Sequence, residues 1–214
     1  MEAAAALVNF AEVVPGIYRS GFPKSENFDH LKKLSLKTIL TLVPEEYPAS
    51  NVSFMQEHSI QHFQIPLPGK KEPFGKNVTE SIDVALKLLL DRANHPILIH
   101  CNQGKHRTGC VAGCFRKLLA WDLLPVVSEY RLHAGLKVRD RDLQFIALFV
   151  PDMLFKMSHE NGFIPALPVI APQSERVAVI EDNSSAPDAP SSPRSGPALR
   201  RAKRGKRRSR IVRA

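Results

Sequence analysis

The stretch Pro96-Ile97-Leu98-Ile99-His100-Cys101-Asn102-Gln103-Gly104-Lys105-His106-Arg107-Thr108-Gly109-Cys110 decides the fold. Ile97 to Ile99 form an apolar run between Pro96 and a polar turn, the pattern of a central strand buried on both faces. From Arg107 to Trp121 the residues suit a helix, with Thr108 and Gly109 at its entry. Strand, glycine-containing turn and helix in that order set the amides of Asn102 to Arg107 at a helix N-terminus. Unpaired N–H groups and the helix dipole there favour an anion. Cys101 stands at the floor of that turn.

Cations and a helix N-terminus favour thiolate over thiol, which makes Cys101 the candidate nucleophile. Arg107 can grip two oxygens of a phosphoryl group at once, which a lysine cannot. Thr108 can hydrogen-bond the sulfur, and Asn102, Gln103, Gly104, Lys105 and His106 complete the anion loop, the last two raising its positive potential. The implied reaction is in-line attack on phosphorus, a phosphocysteine intermediate and hydrolysis by water. Cys110 and Arg116 repeat the Cys-x5-Arg spacing, but at about 100° per helical residue their side chains face apart. The sequence contains no Gly-x4-Gly-Lys-Ser/Thr, which excludes a Walker nucleotide loop. His100, on a buried strand, reads as a hydrogen-bonded orienting residue. Cys110 reads as a buried helical thiol, with an oxidative disulfide to Cys101 as the alternative. No metal or cofactor is called for, because amides and Arg107 supply the electrophilic groups.

The 214 residues, 43% of them hydrophobic, suffice for one sizeable core. The expected division is a flexible N-terminus over 1–9, one domain over 10–160 and a tail over 161–214. Strands are predicted at Gly16–Arg19, Thr38–Leu42, Gln61–Ile65 and Ile97–Ile99. Helices are predicted from an N-cap at Ser25 to Leu34, over Asn51–His58, over Val78–Arg92 behind Asn77, over Arg107–Trp121, from Pro125 to about His133, and from Asp140 with an interruption at Pro151. Such alternation predicts an α/β fold with a central, mostly parallel sheet flanked by helices, and a ligand at the carboxyl ends of its strands. No basic region precedes Ala3 to Val8, so no signal peptide is expected, and no apolar run approaches the roughly 18 residues of a membrane span. Three cysteines, all between 101 and 114, give neither a disulfide framework nor metal spacing. A reducing location, cytoplasmic or nuclear, is expected.

His100 to Cys110 resembles the signature of the plant and fungal atypical dual-specificity phosphatases, cysteine phosphatases whose best-supported substrates are inositol pyrophosphates. Gly16-Ile-Tyr-Arg-Ser20, Phe22-Pro23, Asn27-Phe28, Pro44-Glu-Glu-Tyr-Pro48, Lys71-Glu-Pro-Phe74 and Lys137-x-Arg139-x-x-Asp142 extend the resemblance from about Phe10 to Phe149. It implies a single cysteine-phosphatase domain, removal of the β-phosphate of a diphosphoinositol polyphosphate such as 5-diphosphoinositol pentakisphosphate, and substrate contact at Arg19, for which a strand-end ion pair is the default alternative. Phosphotyrosine (dual-specificity) and RNA 5′-triphosphate hydrolysis share the phosphocysteine step and stand as alternatives. A polyphosphate- or RNA-binding module is the non-enzyme reading, disfavoured by the presence of both Cys101 and Arg107.

The loop Pro66–Lys76 leaves its strand on the ligand side, where Lys70 and Lys71 can meet a polyanion. No Asp occurs between Val43 and Ile82, and Glu72 is the acid placed to protonate a leaving oxygen. Either Glu72 donates that proton, or the leaving group is acidic enough to need little protonation, as a phosphate ester departing from a diphosphate is. Lys137 and Arg139 can reach outer phosphates, and Asp142 can hold one of them or Arg107. The competing reading of Asp142 is a favourable charge in a first helical turn. The net charge of +9 is uneven: from Ala171 onward eleven Lys and Arg face four acids. Ser184 to Pro193 is too polar and Pro-rich to fold. Arg200 to Arg213 resembles a nuclear-localisation or nucleic-acid patch, with an import receptor or RNA as its expected partner and a solubilising tail as the alternative.

Overall fold

The computed structural model describes residues 5–69, 76–150 and 152–163. These belong to a unit of residues 1–168; a second unit, 169–214, lies outside the described residues. Ala11–Val14 (β1), Ile17–Ser20 (β2), Thr38–Thr41 (β3), Gln61–Gln64 (β4) and Ile97–His100 (β5) form one sheet, ordered β1-β2-β5-β3-β4. β2, β5, β3 and β4 are parallel, and β1 alone pairs antiparallel. Register sets Ser20 and Thr41 beside His100, so these parallel strands end at one edge. β5 is buried along its whole length, as its uninterrupted apolar run requires.

Side-chain alternation divides the sheet between two cores. On one face Ile39 and Leu98 pack with Leu31, Phe54 and Met55 of helices Phe28–Lys33 (α1) and Ala49–Glu57 (α2). On the other, Ile17, Leu40, Ile97 and Ile99 meet helices Lys76–Leu90 (α3), Arg107–Leu118 (α4), Leu123–Ala134 (α5), Asp140–Leu148 (α6) and Asp152–Glu160 (α7). The α3 stripe Ile82, Ala85, Leu86, Leu89 and Leu90 is wholly buried. α4 lies in the middle of this layer, with Cys110, Val111, Ala112, Cys114, Phe115 and Leu118 inside.

Several expectations change: α3 begins at Lys76, so Asn77 lies inside it and does not cap it. Residues Ala11–Val14 form a strand that the sequence reading lacks: the segment is short and carries Glu12, and it pairs only after the chain reverses at Gly16, where φ is +82°. The described part of the N-terminus is held, with Leu7 in the smaller core and Gly21 N–H donating to Val8 O at 2.6 Å. Ser25 begins a 3₁₀ turn instead of capping α1; Asn27 Oδ1 accepts the Lys24 N–H at 2.9 Å. α4 stops at Leu118 rather than Trp121. The chain turns through Ala120 at φ +60°, and the Trp121 ring lies 3.9 Å under the Arg116 guanidinium.

Candidate active site

β5 delivers Cys101 to the strand-end edge, and α4 begins at Arg107. Cys101 is 3% exposed and lines a cleft of about 530 Å³ with Lys105, Arg107, Lys137 and Arg139. The loop between them owes its shape to three outside donors. Asn102 O accepts the Phe22 N–H at 3.2 Å, Gln103 O accepts Asn9 Nδ2 at 2.8 Å, and Gly104 O accepts Arg19 Nη2 at 3.0 Å. Across a planar trans peptide the N–H opposes the C=O. Holding three successive carbonyls outward therefore turns the N–H groups of Gln103, Gly104 and Lys105 toward the cleft. Gly104 has φ +66° and presses against Ser20 and Gly21, an approach a side chain forbids.

Such a nest, a helix N-terminus and a free guanidinium can together hold a phosphoryl group over the sulfur. Among the described residues Arg107 forms no ion pair. Thr108 Oγ1 is buried and without a hydrogen-bond partner among them, leaving a donor available to the sulfur. Behind the sulfur the other thiols are inert: burial, first, and the charge of Asp142 push the Cys110 pKa well up, and burial raises that of Cys114.

His100 is buried and hydrogen-bonded at the end of β5. Its Nδ1 faces the Cys101 carbonyl at 3.4 Å, leaving the single lone pair of Nε2 to accept the Tyr47 hydroxyl, with Thr41 Oγ1 3.0 Å from the same nitrogen and 2.8 Å from His62 Nε2. Burial lowers its pKa to about 3, so it is neutral at physiological pH. Tyr47 stacks on both His62 and His100, and Phe22 meets Tyr47 and His100 edge-on.

Geometry corrects the roles assigned to Arg19 and His106 and places Asp142. Arg19 does not reach the cleft: it is 1% exposed, and its Nη1 meets Glu129 Oε1 at 3.2 Å while Nη2 braces the loop. His106 adds no charge, because burial, first, lowers its pKa and Nε2 donates to the Lys137 carbonyl at 2.6 Å. It is a neutral latch between the phosphate loop and the Lys137–Arg139 wall. Asp142 is 1% exposed, accepts the Tyr130 hydroxyl at 2.7 Å and lies 3.5 Å from Arg141 Nε. It stands in the first turn of α6, as its helical reading expects, and lines a small cavity with Arg107 and Arg139. Gly109 permits this arrangement, since a β-carbon there would stand 2.8 Å from the Tyr130 ring. Lys70, Lys71 and Glu72 lie outside the described residues. Glu129, Tyr130 and Asn9 were absent from the sequence reading. A lone polar residue on a helix or in an N-terminal strap carries no local signal of its distant partner.

A cysteine and an arginine at opposite ends of an amide-lined loop, at the carboxyl edge of a parallel sheet, define a cysteine phosphatase. The chain belongs to the tyrosine phosphatase family, whose model matches residues 5–165. An inositol diphosphatase of Arabidopsis thaliana is 50% identical over 141 residues, spanning 66% of this chain and 70% of that protein. The inositol diphosphatase SIW14 of Saccharomyces cerevisiae is 46% identical over 158 residues, spanning 73% of this chain but 56% of its own. The solved core catalytic domain of that SIW14 superposes with a TM-score of 0.71 at 42% identity, covering 76% of this chain and 98% of the domain.

Proposed function

We propose that this cysteine phosphatase hydrolyses the β-phosphate of diphosphoinositol polyphosphates, yielding the inositol polyphosphate and inorganic phosphate. The observation that carries the reading is the cleft wall: Lys105, Arg107, Lys137 and Arg139 line it together. One phosphoryl group is satisfied by the loop amides and Arg107, so Lys137 and Arg139 serve further phosphates on the same molecule. The identity to two inositol diphosphatases supports the same substrate class.

In the first step the Cys101 thiolate attacks the β-phosphorus, and the bond from that phosphorus to the bridging oxygen breaks. The leaving group departs as a ring-borne phosphate ester, acidic enough to need little help from an acid; Glu72 is the proposed donor where a poorer leaving group requires one. Loop amides and Arg107 hold the equatorial oxygens through the transition state, and Thr108 stabilises the sulfur as it leaves. Water then hydrolyses the phosphocysteine and restores the thiolate. The basic cluster Arg200 to Arg213 is proposed as a nuclear-import element, on its composition alone.

Purified protein should show a higher kcat/KM on 5-diphosphoinositol pentakisphosphate than on a phosphotyrosyl peptide or a 5′-triphosphorylated RNA, and Cys101→Ser should abolish turnover of all three. A preference for the peptide would overturn the substrate assignment, and a fully active Cys101→Ser variant would overturn the mechanism.

A further inference from the structure

Behind the phosphate loop lies a chain of charges that the signature sequence does not contain. Glu129, on α5, receives Arg19 Nη1 on Oε1 at 3.2 Å and Arg116 Nε on Oε2 at 2.9 Å. Arg19 extends its other nitrogen, Nη2, to the Gly104 carbonyl at 3.0 Å. We propose that Glu129 is a positioning residue for the oxyanion site: it fixes the Arg19 fork, the fork holds Gly104 O outward, and the Lys105 N–H is thereby aimed at the phosphoryl group.

A guanidinium is planar, so fixing one end of its fork fixes the direction of the other. Arg19 is almost wholly inside the protein, where an unpaired cation is expensive, and Glu129 is its anionic partner among the described residues. The carboxylate is itself clamped. Arg116 holds it from the far side and is in turn stacked on Trp121, so neither oxygen is free to rotate away. Gly104 has no slack on its other side, because its Cα packs directly on the Ser20–Gly21 backbone. The carbonyl direction is therefore set by Arg19, and the Arg19 direction by Glu129. His133, near both, does not compete for the carboxylate: burial and then the Arg19 cation hold its pKa near 4, leaving it neutral.

The inference rests on phosphocysteine chemistry at Cys101 but not on the natural substrate, so it is tested with an aryl phosphate and with orthovanadate, which mimics the five-coordinate transition state. Glu129→Gln keeps the shape and removes the charge. Arg19→Lys keeps a buried cation beside Glu129 but replaces the two-ended fork with a single nitrogen. Both variants should lose about tenfold or more in kcat with KM for the aryl phosphate nearly unchanged, and vanadate inhibition should weaken by the same factor. A lower melting temperature with wild-type kcat per titrated active site and wild-type vanadate inhibition would make Glu129 purely structural and overturn the proposal. Should Glu129→Gln fail to fold, Arg19→Lys decides: unchanged vanadate inhibition overturns the proposal, and a matching loss sustains it. A wild-type chain that hydrolyses the aryl phosphate but not a diphosphoinositol polyphosphate would instead refute the substrate reading and leave this test intact.

Discussion

At Gly104 the chain has room for a hydrogen atom and nothing larger, because a β-carbon would stand 2.6 Å from Gly21 N and from the Ser20 carbonyl carbon. Gly104→Ala should therefore cost on the order of 1–3 kcal/mol of stability. It should also lower kcat by about a hundredfold, the effect of an ångström-scale shift at a reacting centre. Chemical unfolding and steady-state kinetics on an aryl phosphate measure the two effects. His100 makes a different demand. Its folded pKa near 3 lies below the ordinary 6.5, so the unfolded chain takes up a proton between those values that the native state refuses. The stability gained by keeping this imidazole neutral is complete above pH 6.5 and is lost as the pH falls, at up to about 1.4 kcal/mol per pH unit. Urea midpoints should drop between pH 6.5 and 4, and His100→Gln should flatten that slope by about one proton. Cys101 and Arg107 were legible in sequence because their relation is local: five intervening residues, Gly104 among them, bring them to one loop. Arg19 and His106 were misread for the opposite reason. A cation in a motif reads as a substrate contact until burial and a distant partner show it bound elsewhere.

Among the elements, the segment from the end of α5 to the start of α6 forms the far wall of the cleft, tied to the phosphate loop through His106 and the Lys137 carbonyl. Its cations lie beyond the loop that grips the transferred phosphoryl group, so they should matter in proportion to the number of phosphates a substrate carries. Lys137→Ala and Arg139→Ala should each raise KM for a diphosphoinositol polyphosphate by about tenfold, roughly 1.4 kcal/mol, while changing KM for an aryl phosphate much less. Equal effects on both substrates would remove these residues from polyanion recognition. The elements themselves were largely readable. β5 declared itself by the apolar run Ile97 to Ile99, β3 by Ile39 and Leu40 between β-branched threonines, and α3 by a stripe at helical spacing. β1 did not, since four residues with a central glutamate acquire strand character only from the partner they pair with. α4 was found but not its setting: a helix buried on nearly every side shows no polar face from which its position could be inferred.

Across the whole molecule, charge is unevenly spread. The excess of basic over acidic residues is concentrated beyond Ala171, so the high isoelectric point describes the C-terminal segment more than the catalytic unit. Removing residues 200–214 should leave kcat on the diphosphoinositol substrate intact and shift the protein's cellular distribution away from the nucleus; an unchanged distribution would end the import proposal. The catalytic unit was recognisable as a layered α/β domain from its alternation of elements. What holds it around the site was not, because Asn9, Arg19 and Phe22 reach the loop from a segment about 80 residues upstream, and Glu129, on α5, acts on it through Arg19. That convergence has a thermodynamic consequence. The ordering entropy of the loop is spent when the protein folds and not when a ligand arrives, so an incoming oxyanion meets dipoles already oriented, and nearly all of its interaction energy is available for affinity and rate.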